Sequence, residues 1–165
     1  HDQNGNDISK TGKVGELVAF AKTIAQGYWK NKNLSKQVLK NGSFYTGDLV
    51  KADKDGYLHL VGRIKEMINV GGYKVAPTEI EEVMIKFPEI KEVAVVGKIN
   101  EERKPIEDIF AFIVPKKEST INTQALSEFC KNNLESYKIP KEFKIIDNIP
   151  KTKNGKIEKY KLLEF

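Results

Sequence analysis

The stretch NIPKTKNGKIEK, residues 148–159, holds four lysines around an Asn-Gly pair. Asn154-Gly155 favours a tight turn with positive φ, and Lys156 leaves that turn directly, which can hold one ammonium at the tip of a loop. The G-x-x-x-x-G-K-[ST] pattern of a phosphate-cradling loop is absent, so taken alone the stretch reads as a charged loop. YTGDL, Tyr45 to Leu49, presents the Asp48 carboxylate beside a flexible backbone point at a strand end. An ionised carboxylate accepts two hydrogen bonds and suits a vicinal diol such as a ribose. Asp48 could equally end a strand with a turn. VGRIKEMINVGGYKV, Val61 to Val75, adds Arg63, which fits either an interdomain salt bridge or an anionic ligand. Gly71 and Gly72 either form a hairpin turn or let a narrow ligand pass close to backbone.

Other reactive residue types point to structure. Asp53 and Asp55 before Gly56 resemble the start of a calcium loop, but no glutamate follows at the required place, and a tight turn is the better account. His59 and His1 stand alone, so no metal site is expected. Cys130 lies on an apolar helical face and reads as core.

Composition narrows the partners. Of 28 basic residues only Arg63 and Arg103 are arginines, and the lysines are interleaved with 23 acids. A nucleic-acid stripe is therefore not expected, although the net charge of +5 suits an anionic metabolite such as a nucleotide or coenzyme A. No apolar run is long enough to span a membrane, and a secretory leader is not expected. One cysteine excludes an internal disulfide; the expected setting is cytoplasmic.

The elements that must position these groups are mostly short. VGELVAF at 14–20 reads as a strand, and residues 28–40 as a polar stretch with room for a short helix. FYTGDLVKA and YLHLVGR read as a strand pair, and EMINVGGYKVAP as a hairpin turning at Gly71-Gly72. In APTEIEEVMIKFP either Pro77 takes the first helical position or Thr78 caps with Glu81; Ile80, Val83, Met84 and Phe87 share one face and Pro88 stops the helix. IKEVAVVGK and DIFAFIVP read as buried strands, Leu126, Phe129, Cys130 and Leu134 mark a second helix, and EFKIID is another strand. The expected class is α+β: a β-rich segment, residues 1–64, with too few apolar residues for its own core, then a compact unit, residues 65–165.

In this order and spacing, VGELV, GYW, FYTGDL, GRIKEMINVGGYKVAPTEIE, LESYKIP and PKTKNGKIEK resemble the C-terminal part of the acyl-adenylate-forming superfamily, over essentially all 165 residues. That family includes acyl-CoA synthetases, aryl-CoA ligases, peptide-synthetase adenylation domains and luciferases. The resemblance implies an enzyme that joins a carboxylic acid to ATP with Mg2+, releases pyrophosphate, and passes the acyl group from acyl-AMP to coenzyme A or a carrier thiol. It matches Asp48 to a ribose-binding aspartate, Arg63 to a nucleotide-contacting arginine, and Lys65 to the hinge of a mobile lid. Gly71 and Gly72 match the pantetheine passage, and Lys156 the lysine required for adenylation. Residues 1–64 then correspond to the end of the large AMP-binding domain and 65–165 to the lid. The phosphate loop, adenine-stacking segment and acyl pocket lie upstream in that family, so this chain alone is expected to be inactive. Lys65 and YKVAPTEIE look more like CoA ligases than peptide-synthetase domains, while Asn69 departs from plant coumarate ligases, which commonly carry lysine there. A stand-alone enzyme loading a carrier protein, or a non-catalytic lid-like binding module, are the alternatives.

Overall fold

The chain divides after Lys65 in the computed structural model, which describes every residue except Gln3: one unit is His1–Lys65, the other Glu66–Phe165. The first unit is built on β3 (Ser43–Ala52), which pairs antiparallel with β1 (Val14–Phe20) along one edge. On its other edge lie β2 (Leu39–Lys40) at the start and β4 (Leu58–Arg63) at the end. α1 (Lys32–Val38) begins where the Asn31 side chain accepts the Leu34 N–H, a standard way to satisfy a helix's first donors. The β3–β4 turn is tied by Asp53, whose Oδ1 accepts the N–H groups of Asp55 and Tyr57. His59 Nε2 lies 2.7 Å from Asp53 Oδ2, so this histidine braces a turn. Phe20, Trp29, Tyr57 and Leu60 are exposed, as the shortage of core residues in this segment implied.

The second unit opens with a hairpin of β5 (Ile68–Val70) and β6 (Tyr73–Val75), followed by α2 (Pro77–Met84). Pro77 takes the first helical position after Ala76, where its missing N–H costs nothing. The helix is shorter than its apolar pattern suggested. Lys86 and Phe87 donate to the Val83 and Met84 carbonyls, tightening the last turn, so Phe87 lies beyond the helix while still packing edge-to-face on Phe129.

β7 (Ile90–Ile99) and β8 (Glu107–Pro115) pair antiparallel, and β9 (Glu142–Ile145) adds to β8 in parallel after the crossover helix α3 (Thr123–Asn133). The near-continuous apolar runs of β7 and β8 follow from burial on both faces. Val93, Val95, Ile109, Ala111 and Ile113 face one core with α2 and α3; Ala94, Val96, Phe112 and Val114 face a second, closed by Ile149 and by Leu162 of α4 (Lys159–Leu162). The α+β class holds.

Cys130 is fully buried in the first core, and burial pushes its thiol up to about 11. A thiol reagent at mildly alkaline pH is therefore expected to label the chain only after denaturant is added; labelling at the same rate without denaturant would contradict this packing.

Asp108 accepts from Lys141 at 2.7 Å and from Asn100 at 2.8 Å, with Arg103 at 3.4 Å. The Lys141 hydrogen bond, outweighing burial, holds this carboxyl below its usual range. Its contribution to stability is full above the ordinary aspartate value, roughly 3.9, and is lost as pH falls through the lower folded value. Urea midpoints measured from neutral to acid pH should fall less steeply in Asp108→Asn than in the parent chain. Identical acid dependence would show that the group contributes nothing.

Candidate functional site

The Thr46-Gly47-Asp48 segment owes its shape to an irregularity between β1 and β3. The register pairs Glu16 with Leu49 but Val18 with Tyr45, so three residues of β3 oppose Leu17 alone. Such bulges re-aim side chains and leave backbone groups to be satisfied otherwise. Here the Thr46 hydroxyl donates to the Leu17 carbonyl at 2.8 Å and accepts the Asp48 N–H at 3.0 Å, while the Gly47 N–H donates to Glu16 Oε1 at 3.0 Å. Gly47 sits at φ +75°, a conformation that suits glycine.

Asp48 lies directly opposite Arg63 in the β3–β4 register. Arg63 Nε is 2.9 Å from Asp48 Oδ1, and its terminal nitrogen donates to the Thr46 carbonyl at 3.0 Å. Both side chains are partly exposed. The guanidinium fork holds one carboxylate oxygen and one backbone carbonyl, fixing the acid's orientation and leaving its second oxygen to accept from a ligand. The structure thus brings these two residues together, and their pairing lies within the first unit.

Lys65 occupies a single 3₁₀ turn, Ile64–Glu66, at the division between the units, and its side chain is exposed. Gly71 and Gly72 form the β5–β6 turn, with φ of +59° and +95°, the pair of positive values that a two-residue hairpin turn requires. A Cβ built on either would meet nothing within 4 Å, so backbone conformation and not crowding selects glycine. Asn69 braces this turn. Its Oδ1 accepts the Gly72 N–H at 3.3 Å, its Nδ2 donates to the Pro105 carbonyl at 3.2 Å, and its own N–H donates to Glu107 Oε2 at 2.7 Å. Sequence reasoning saw only a departure at Asn69; the signal available was an Asx-type residue three positions before a glycine.

Lys156 leaves a second hairpin. Lys151 pairs with Ile157, Thr152 and Lys156 are joined by a 2.8 Å backbone bond, Gly155 N–H donates to the Thr152 carbonyl, and Lys156 N–H donates to the Thr152 hydroxyl. Gly155 stands at φ +80° with open space around a Cβ, so Gly155→Ala is expected to cost about 1 kcal/mol, readable by denaturant titration of the second unit. Lys151 pairs with Glu92, Lys159 with Glu81 and Lys161 with Glu158. Lys156 is exposed and has no acidic partner among the described residues. An ammonium presented this way is available to an external anion.

Among the described residues no group of three or more His, Cys, Asp or Glu side chains comes together as a metal set. No helix among them is long and apolar enough to cross a membrane.

Residues 79–156 match the family model for the AMP-binding enzyme C-terminal domain. The chain is 38% identical over 153 residues to the oxalate–CoA ligase of Arabidopsis thaliana, covering 93% of this chain and 29% of that enzyme. It is 36% identical to a long-chain-fatty-acid–CoA ligase of Escherichia coli O157:H7, covering 94% of this chain and 27% of the relative. Its fold superposes on the anthranilate CoA ligase AuaEII, solved with anthranoyl-AMP, at a TM-score of 0.86 and 31% identity, over 99% of this chain and 32% of that one. The chain therefore spans about three-tenths of the length of these relatives. It belongs to the acyl-adenylate-forming superfamily, whose AMP-binding enzyme C-terminal domain it carries.

Proposed function

We propose that this chain acts as the C-terminal part of an ATP-dependent carboxylate–CoA ligase that forms an acyl-AMP and then an acyl-CoA thioester. The observation that carries the reading is the exposed Lys156 ammonium at a hairpin tip whose lysines at 151 and 159 are both paired.

Adenylation brings a carboxylate against an anionic α-phosphate, and the two repel. Lys156 between them offsets that repulsion and holds the attacking oxygen in line. Asp48, oriented by Arg63, accepts hydrogen bonds from the ribose hydroxyls, and Arg63 also faces the nucleotide. Lys65 serves as the pivot, so the unit beginning at Glu66 is a lid. After adenylate forms, rotation withdraws Lys156 and turns the Gly71-Gly72 hairpin toward the site, where its lack of side chains admits the pantetheine arm. The relatives act on oxalate, long-chain fatty acids or indoleacetate by name, which supports a carboxylic acid as substrate class. A cytoplasmic setting, with Cys130 reduced, belongs to the same reading.

The test is acid-dependent ATP–pyrophosphate exchange by the complete enzyme carrying this segment, followed by thioester formation on free CoA and, separately, on a carrier protein. Exchange with thioester on CoA supports the reading. Thioester on the carrier alone replaces CoA with a carrier as acceptor, and absence of exchange overturns the reading. The isolated 165-residue chain is expected to show none.

A further inference from the structure

The hairpin that presents Lys156 is held from both sides. Ile149 before it and Leu162 after it are buried in the second core, with Ile157 packed alongside. Polar anchors flank the tip as well: Lys151 reaches Glu92, and Lys159 reaches two carboxylates of the same unit. Lys159 Nζ lies 2.8 Å from Glu81 Oε1 on α2 and 3.6 Å from Glu66 Oε2, the residue next to Lys65. Glu81 Oε1 also accepts the N–H of Val95, a fully buried residue of β7, at 2.7 Å. The Lys159 and Glu81 side chains are only 21% and 18% exposed.

An exposed lysine–glutamate pair contributes little to stability and fixes no geometry, because both side chains are free to move in water. This one differs. The shared carboxylate is locked by a core backbone amide, so Lys159 grips a rigid point of the fold. One ammonium thereby connects the residue after the pivot, a helix, a core strand and the chain three positions beyond Lys156.

We propose that Lys159 is a positioning residue for adenylation: through Glu81 and Glu66 it fixes the Lys156 hairpin relative to the pivot, so that lid rotation delivers the Lys156 ammonium to one place. The proposal rests on the ligase reading above and adds a residue through which Lys156 acts. Displacement of a reacting group by about 1 Å costs on the order of 100-fold in rate. The thioester half-reaction uses the withdrawn lid and does not need the ammonium there.

Three variants of the complete enzyme test it: Lys159→Met, which keeps the aliphatic stem, Lys159→Arg, which keeps the charge, and Lys156→Ala. Lys159→Met is expected to lower kcat for ATP–pyrophosphate exchange about 100-fold, with KM for ATP and thioester formation from supplied acyl-AMP and CoA little changed. Lys159→Arg should recover most of the exchange rate. Backbone hydrogen exchange in residues 150–158 should quicken in Lys159→Met. Wild-type exchange in Lys159→Met, beside an inactive Lys156→Ala, overturns the positioning role and leaves the ligase reading intact. Equal loss of both half-reactions with a lower melting temperature also overturns it, since the residue would then only support the fold. Full exchange activity in Lys156→Ala overturns the ligase reading itself.

Discussion

Replacing Lys156 by alanine in the complete enzyme is expected to depress acid-dependent ATP–pyrophosphate exchange about 100- to 1,000-fold, the usual cost of removing one positioned electrostatic donor. Thioester formation from supplied acyl-AMP and CoA should stay near the parent rate. The asymmetry follows from where charge builds up. In the proposed adenylation two anionic groups approach, and an ammonium between them would be worth most at the transition state. In thioester formation the adenylate already exists and the attacking thiol carries no phosphate to be neutralised at that point. The change should spare the fold. Lys156 is exposed, has no acidic partner among the described residues, and contributes to the hairpin through backbone groups that alanine retains. The measurement is a pair of half-reaction rates on one preparation. Equal loss of both would contradict a division of labour between two lid poses.

Much of the fold could be read from the sequence because period and burial agree there. The buried strands of residues 90–99 and 107–115, the apolar face of α3 and the Gly71-Gly72 turn each carry a local signal strong enough to stand alone. Other features could not be read. The parallel pairing of β9 with β8 depends on where a helical crossover deposits a short, half-buried strand. α4 is four residues long and is held by Leu162 in the core more than by helix propensity.

The site shows the same contrast. Asp48, Arg63 and Lys156 stand at the motif positions that first drew notice, yet the reasons they are held are non-local. The bulge opposite Leu17 that re-aims Asp48 is a register property of two strands 29 residues apart. The partners of Lys159, Glu66 and Glu81, lie 93 and 78 residues upstream. A lysine paired with distant carboxylates and a lysine left free look alike in a linear chain. What separates Lys156 from Lys151 and Lys159 is only the three-dimensional placement of Glu92, Glu66 and Glu81.

Asp48→Ala is expected to raise KM for ATP about 100-fold, with little effect on the fold. A ribose diol donating both its hydroxyls to the carboxylate oxygen that Arg63 leaves free makes two charge-assisted hydrogen bonds, each worth about 1.5–3 kcal/mol. Losing about 3 kcal/mol corresponds to roughly 100-fold in affinity. Removing Asp48 also strips Arg63 of its ion-pair partner, but that guanidinium is 44% exposed and still donates to the Thr46 carbonyl, so water compensates it. The sharper readout is selectivity. In the parent enzyme 2′,3′-dideoxy-ATP should bind far more weakly than ATP, because Asp48 is then left without the hydroxyls it was oriented to receive. In Asp48→Ala the two nucleotides should bind alike, since the loss cannot be counted twice when both changes remove the same contact. If the variant still discriminates as strongly as the parent, the ribose is held elsewhere, and the Asp48–Arg63 pair does no more than close the end of a strand.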